Sequence, residues 1–376
     1  MNQGFSIRRV TARVYRCPLE QPVSTSFGVM RDRPMVLVEV EDRDGARGWG
    51  EVWCNFPTVG AEHRARIVDS VMTPLLLTET FRSPVDAFQY LTQKTAVLAI
   101  QGGEPGPFAQ AIAGIDIALW DLAARRAGQP LWRFIAADGS PGIGVYASGL
   151  NPDAPAKLAK AKQREGFTAF KLKVGFGLDR DIANLHALRS VLGNARLMVD
   201  ANQGWSLAAA LEMLPHLEPF DLDWLEEPLR ADCPWSEWRK LKANTQIPLA
   251  AGENVAGIAA FAYALDAGVL SVVQPDLAKW GGLSGCVPVA RSIRAAGARF
   301  CPHYLGGGIG LLASAHLLAA VGGDGLLEID ANPNPLRSLV CGPLNDVTRG
   351  NATLSADAGI GSEPNLSSLA QFQVRY

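Results

Sequence analysis

An α/β chain, with an N-terminal α+β domain followed by a parallel β/α barrel, is what this sequence predicts. Three observations predict it. An alternating meander stands near the N-terminus. From about residue 145 onward, eight apolar runs recur at even spacing. Nearly every one of those runs ends in an ionisable residue.

The meander comes first. "VTARVYRCPL" (10–19) and "RPMVLVEVEDRDGARGWGEVW" (33–53) alternate apolar and polar residues as half-buried antiparallel strands do, with "DRDGARG" as a turn. Helical patterns follow, ending in "AQAIAGIDIALWDLAARRAG" (109–128). The barrel runs come next: "GVYASG", "AFKLKV", "RLMVDAN", "DWLEEP", "PLAAGEN", "SVVQPDL", "ARFCPHY" and "LLEIDAN". They lie roughly 25 residues apart, the length of one β–α unit, and eight such units make a parallel barrel. A doubly wound sheet does not require eight equal spacings, and no GxGxxG follows the first strand. Pattern alone does not place the last thirty or so residues, which are loop-rich before "AQFQVRY".

Bulk properties narrow the function. The 376 residues carry a formal net charge of −2, which leaves no electrostatic footprint for nucleic acid or an anionic membrane. "MNQGFSIRRVTARVY" has no apolar signal core, and "GGGIGLLASAHLLAAVGG" (306–323) reads as loop and buried helix rather than a membrane span. Six cysteines lie far apart with no CxxC pair. That suits a reducing, cytoplasmic setting and argues against a disulfide framework or cysteine zinc site.

In a parallel barrel the active site sits at the C-terminal strand ends. Those ends carry Lys171 and Lys173, Asp200 and Asn202, Glu226 and Glu227, Glu253 and Asn254, Asp276, His303, then Glu328 and Asp330. Any one has an alternative reading as a turn former, but seven consecutive strand ends do not. Asp200, Glu226 and Glu253 end three successive strands, and three carboxylates on one rim repel unless a cation lies among them. An all-oxygen set favours Mg²⁺, with Mn²⁺ as substitute. Only one of Glu226 and Glu227 can point inward, and Pro228 does not decide which. Lys171 and Lys173 share a strand face; in isolation this reads as a solvated edge, but at this rim each ammonium is expected to lower the other's pKa, as is the nearby metal, and so prepare a base. Asp276 and His303 make a carboxylate–imidazole dyad, with a satisfied structural histidine as the alternative.

Taken in order, these elements resemble the mandelate racemase branch of the mandelate racemase / muconate lactonizing enzyme family in the enolase superfamily. "AIAGIDIALWDLAARRAGQPLW" (111–132) and "LMVDANQGWSLAAALEMLPHLEPFDLDWLEEP" (197–228) look like its two signatures, and KxK, DxN, EEP, GEN, PDxxKxGG and PH follow in family order. The resemblance implies an N-terminal α+β capping domain (1–125), a modified TIM barrel, (β/α)7β, with the metal site (126–345), and a C-terminal segment (346–376) that returns to the cap. It implies Asp200, Glu226 and Glu253 as Mg²⁺ ligands, the first glutamate of EEP being the one that binds. Lys173 matches a base on one substrate face, tuned by Lys171. Asp276 and His303 match the dyad on the other face, and Glu328 matches the acid that hydrogen-bonds the substrate carboxylate. Asn202 and Ser148 are expected substrate contacts.

Two details favour this branch: Glu253 as third ligand where the muconate branch has Asp, and Asp276 where that branch has a second lysine. Lys279, three residues beyond Asp276, reads as structural. "PHYLGGGIG" departs from the pattern, and its glycine-rich loop is expected to help shape the pocket. Substrate choice is expected in the cap, where "STSFGVM" (24–30) and "VWCNFPTVG" (52–60) are candidate lid loops. Trp53 and Phe56 would give an apolar wall, or else belong to the cap core, while Asn55 and Ser24 are polar.

The implied reaction is Mg²⁺-dependent removal of a proton α to a carboxylate through an enediolate, a pattern for which this superfamily is itself a standard case. Dehydration of an acid sugar or related hydroxy acid is the favoured outcome, with racemisation or epimerisation second and cycloisomerisation behind. A catalytically silent acid-binding barrel would be signalled by a lost ligand or base, and none is missing. The expected partner is a small carboxylic acid, with no nucleic acid or membrane, in a homo-oligomer.

Overall fold

The computed structural model describes residues 4–25 and 28–376, with the side chains of Gln21, Ser24 and Thr25 outside the description. The N-terminal meander forms β1 (Phe5–Thr25), β2 (Gly28–Asp42) and β3 (Arg47–Val52), paired antiparallel in that order. The β2–β3 turn closes where Asp42 Oδ1 accepts from the backbone N–H groups of Asp44 and Ala46. A two-residue strand β4 (Thr80–Phe81) adds to the start of β1.

The apolar pattern at 109–128 belongs to the helix Pro105–Arg126, which is buried on nearly all sides. It lies so close beneath β3 that a Cβ at Gly50 would stand 1.9 Å from the carbonyl oxygen of Gly114. Glycine is required there by close approach rather than by backbone torsion.

All eight predicted runs are strands, and they pair in parallel. They are β5 (Gly142–Leu150), β6 (Ala169–Lys173), β7 (Arg196–Asp200), β8 (Leu225–Glu226), β9 (Leu249–Ala251), β10 (Leu270–Val273), β11 (Arg299–Phe300) and β12 (Leu326–Asp330). β12 pairs with β5, and no β11–β12 ladder is found among the described residues. One long helix lies in each of the seven intervals, giving the (β/α)7β order.

The tail touches both domains. β13 (Asn351–Thr353) pairs antiparallel with β5, and β14 (Gln373–Val374) pairs with β1 at Val14 and Tyr15. The candidate lid loop at 24–30 is largely the β1–β2 hairpin tip; the Ser24 side chain, Ser26 and Phe27 lie outside the described residues. No helix of the described residues is long and apolar enough to cross a membrane.

Candidate active site

Strand periodicity builds the site. Tyr146, Ala169, Met198, Trp224, Ala250, Val272, Cys301 and Leu326, one from each strand or its edge, pack together as an apolar floor inside the barrel. Two residues further along, side chains return to the same face. Those positions are Ser148, Lys171, Asp200, Glu226, Gly252, Gln274, His303 and Glu328. A single step along eight strands therefore converts a hydrophobic layer into a charged one.

The one gap in this layer is Gly252. Its φ is +149°, and a Cβ would lie 2.6 Å from Gln274 N, so a side chain does not fit and β9 delivers Glu253 instead.

The charges pair closely. Lys171 is fully buried, with Nζ 2.6 Å from Glu226 Oε1 and 2.7 Å from Glu328 Oε1. Glu226 Oε2 accepts from Gln274 Nε2 at 2.6 Å and from Trp224 Nε1 at 3.0 Å. Lys173 Nζ donates to Asp200 Oδ2 at 2.5 Å, while Asp200 Oδ1 accepts from Asn202 N at 2.8 Å. His303 Nδ1 is 2.7 Å from Asp276 Oδ2, and its Nε2 meets Glu253. The turn after β10 fixes Asp276, whose Oδ1 accepts from Ala278 N and Lys279 N.

Among the protein's own groups, these pairings act against the expected depression of the lysine pKa values. Burial pushes both ammonium groups down, but Glu226 and Glu328 beside Lys171, and Asp200 beside Lys173, outweigh burial and hold both above the ordinary lysine range. Burial likewise pushes the His303 imidazole down, and Glu253 and Glu328 carry it well above the usual histidine value. Carboxylates closer than the neighbouring ammonium decide the sign.

A cavity opens above this layer, between barrel and cap. Lys173, Asn202, Glu253 and His303 line it from the barrel, and Trp53, Asn55 and Phe56 from the cap. Trp53 thus faces the cavity rather than lying wholly in the cap core, and Asn55 Nδ2 also donates to Leu305 O.

Three expectations change. Ser148 is fully buried and, like Lys171 and Glu328, absent from the cavity lining; it donates to Glu328 Oε1 at 2.5 Å, behind the acid expected to meet the substrate carboxylate. Lys279 lines the cavity, with Nζ 4.9 Å from the Trp53 ring and 3.5 Å from Glu253. Strand alternation had assigned it away from the site, but beyond Asp276 the chain turns, with Lys279 N bonded to Asp276 O, and alternation no longer applies. The glycine-rich loop shapes the pocket only through Leu305. Its remainder seats Glu51 of β3, which accepts from the backbone N–H groups of Gly307, Ile309 and Gly310.

Sequence reading missed Arg33, Gln274, Asn151 and Asn332. Gln274 was legible two residues before Asp276. Arg33 was not, because its place depends on how the cap docks.

Among the described residues, no three His, Cys, Asp or Glu side chains converge tightly enough to hold a metal ion. Asp200, Glu226 and Glu253 turn instead to Lys173, Lys171 and His303. The donor set nevertheless suits a hard divalent cation, and the electrostatics agree. Glu227, in the left-handed region at φ +39°, accepts from Asn254 Nδ2. Burial and then the Glu253 and Asp200 charges push its carboxyl well above the usual range, against a smaller pull from Lys279. Excess negative charge on this side of the rim is what a cation would offset.

Comparison with known proteins follows the same lines. Residues 7–136 match the family model described as mandelate racemase / muconate lactonizing enzyme, N-terminal domain, and residues 154–368 match enolase C-terminal domain-like. A solved mandelate racemase/muconate lactonizing enzyme from Bordetella bronchiseptica RB50 is 57% identical, with TM-score 0.93 over 98% of this chain and 99% of that one. A racemase from Streptomyces coelicolor A3(2), solved with bound magnesium, is 30% identical, with TM-score 0.88 over 98% and 100%. D-galactarolactone cycloisomerase of Agrobacterium fabrum is 30% identical over 98% of this chain and 99% of its own. Other curated relatives are acid-sugar dehydratases and an amino-acid-derivative racemase. The chain therefore belongs to the mandelate racemase / muconate lactonizing enzyme family, and is an enzyme of the enolase superfamily.

Proposed function

We propose that this protein removes the proton α to the carboxylate of a polyhydroxy acid and then eliminates the β-hydroxyl as water. The observation that carries the reading is that Lys173, from β6, and His303, after β11, line one cavity from different sides of the barrel. Asp200, Glu226 and Glu253 would hold Mg²⁺, or Mn²⁺ in its place, which supplies Lewis-acid compensation for negative charge on the substrate carboxylate.

The chain's own groups do the rest. Lys173 Nζ takes the α-proton, for which it must first be neutral. Lys171 and Glu328 form a buried pair, supported by Ser148, that would hydrogen-bond the carboxylate end. Asp276 anchors Nδ1 of His303, so Nε2 is the nitrogen available to donate. As the C–O bond to the β-hydroxyl breaks, His303 protonates the departing oxygen to give water. The resulting enol tautomerises to a 2-keto acid. A general acid or base placed in this way contributes ~10²–10⁴-fold to rate.

Racemisation is the second reading, because groups on two sides can also deprotonate one face and reprotonate the other. The apolar wall of Trp53 and Phe56 would suit a less hydroxylated substrate. One experiment separates them: incubation of an acid library with Mg²⁺ in D₂O, scoring α-deuterium and 2-keto product by NMR. Dehydration predicts 2-keto product with wild type. It predicts no exchange with Lys173→Ala, and exchange without keto product with His303→Asn. Deuterium incorporation with inversion and no keto product would replace dehydration by racemisation. Cycloisomerisation, the activity in the Agrobacterium protein's name, is a further product class the same spectra would register. Near wild-type turnover in His303→Asn would remove the dyad from the mechanism.

A further inference from the structure

The cavity wall above β5 and β12 holds a chain of polar side chains that the chemistry above does not use. Arg33, from cap strand β2, is 4% exposed and pairs through Nη2 with Asp330 at the end of β12. Asp330 Oδ1 accepts from Asn332 Nδ2 at 2.9 Å, and Asn332 Oδ1 accepts from Asn151 Nδ2 at 3.0 Å. All four residues line the cavity.

The orientation of the two amides follows from this order. Asn332 Nδ2 lies between two acceptors, the Asp330 carboxylate and the Gly149 carbonyl, so its oxygen must face Asn151. Asn151 must then offer its nitrogen, which leaves its own oxygen at the end of the chain. The two ends are the unfinished parts: Arg33 Nε and Asn151 Oδ1 are both buried and, among the described residues, both lack a hydrogen-bond partner. Both belong to residues that line the cavity, and a buried donor and a buried acceptor without partners are costly unless something completes them.

We infer that this wall is a subsite for the distal hydroxyl groups of a polyhydroxy acid, Arg33 Nε–H donating to a hydroxyl oxygen and Asn151 Oδ1 accepting a hydroxyl proton. Two alternatives fit less well. A distal carboxylate would meet Asp330, which already takes the Arg33 charge, and could not donate to Asn151. An aromatic or alkyl group would leave both ends unpaired. The proposal rests on the reading of the site as one that binds a carboxylic acid, and it assigns the groups that select among such acids.

The test uses the full chain with Mg²⁺ and a matched pair of acids. One is a set of epimeric six-carbon pentahydroxy acids; the other is the 2,3-dihydroxy acid of equal length without the distal hydroxyls. Calorimetry gives Kd for wild type, Arg33→Lys and Asn151→Ala. The Lys variant keeps a cation for Asp330 while removing Nε, so that loss of folding does not stand in for loss of recognition. Wild type is expected to bind its best pentahydroxy acid at least about tenfold more tightly than the dihydroxy acid. Each variant should bring that ratio to about threefold or less.

No preference in wild type, a preference for a six-carbon diacid, or an unchanged ratio in both variants would overturn the subsite. α-Deuterium exchange is read in parallel. Exchange with unchanged ratios defeats the subsite and leaves the reaction standing; the expected ratios without exchange defeat the reaction and leave the subsite standing.

Discussion

At the barrel rim, Asp200, Glu226, Glu253 and Glu328 each meet a lysine or histidine side chain. At the seam between cap and barrel, Glu51 and Asp116 are as deeply buried, yet meet none. Glu51 accepts from three backbone N–H groups, and Asp116 from the N–H and hydroxyl of Ser284. Asp121 is intermediate, accepting from the backbone of Trp49 and Ile360 and from Arg125. The consequences differ. Burial, only partly offset by Ser284, pushes Asp116 up to about 7, and burial against Arg125 puts Asp121 at about 6. At the rim, by contrast, the Lys173 and Lys171 charges outweigh burial and hold Asp200 below its usual value. Glu253 and Glu328 are likewise held, against burial, below their usual values by His303 and the lysines, while burial and the neighbouring Asp200 and Glu328 charges raise Glu226 to about 7 against Lys171. Three of the four rim carboxylates are thus held as ions, whereas the seam favours neutral forms. Burial of a carboxylate therefore does not mark a site; the type of partner does, because a cation on a flexible stem can be exchanged and a backbone N–H cannot.

The largest expected effect would break the comparison if it failed. Mn²⁺ or Mg²⁺ binding, measured by calorimetry, should fall at least ~100-fold in Asp200→Asn and Glu253→Gln, with turnover lost. Asp116→Asn and Asp121→Asn at the seam should retain metal affinity. Equal losses in both sets would show that the rim has no special role. Glu226→Gln and Glu227→Gln decide between the neighbours. Loss of binding only in Glu227→Gln would move the ligand by one residue, to the carboxylate that carries the excess charge.

Asp116 sharpens the other side. Its folded pKa, about 7, lies above the 3.8 of an ordinary aspartate. Between those values the folded state holds the extra proton, so stability is fully present below about pH 4 and declines as pH rises through 7. Between pH 5 and 8 the wild type should lose about 3 kcal/mol relative to Asp116→Asn, read from urea unfolding of both. Parallel curves would mean that Asp116 is not held neutral.

How far this division could be read in the sequence follows from periodicity. Eight apolar runs, seven of them ending in ionisable residues, were legible because strand alternation places the floor and the charged layer two residues apart. Alternation also explains the errors. Ser148 lies in that layer but below the cavity, a depth the pattern does not encode. Lys279 lies past the strand, where the pattern has ended. Arg33 and Glu51 belong to an alternating meander like any other, and only the docking of cap on barrel gives them partners 297 and 256 residues away. The sequence therefore located the chemistry carried by one sheet and left unread what two domains make together.

The smallest effect tests the seam from its basic side. His316, inside the helix Gly308–Val321, is fully buried; Nδ1 accepts from Trp132 N at 3.0 Å, and Nε2 donates to Ile360 O at 3.2 Å. An Nδ1 that accepts a backbone N–H cannot also carry a proton, so this geometry needs the neutral ring. Burial lowers its pKa from 6.5 to about 4. The sign is opposite to that of Asp116. Here the unfolded state binds the extra proton between the two values, so stability is full above about 6.5 and is lost as pH falls toward 4. His316→Gln offers an oxygen to Trp132 and an N–H to Ile360 without a site to protonate. From pH 8 to 5 the wild type should lose about 2 kcal/mol relative to the variant. Asp116 and His316 would then destabilise at opposite ends of the pH range for one reason, burial with no opposite charge beside either group among the described residues. Should the two proteins lose stability in parallel as pH falls, His316 is not titrating, and the seam's preference for neutral forms would extend only to its acids.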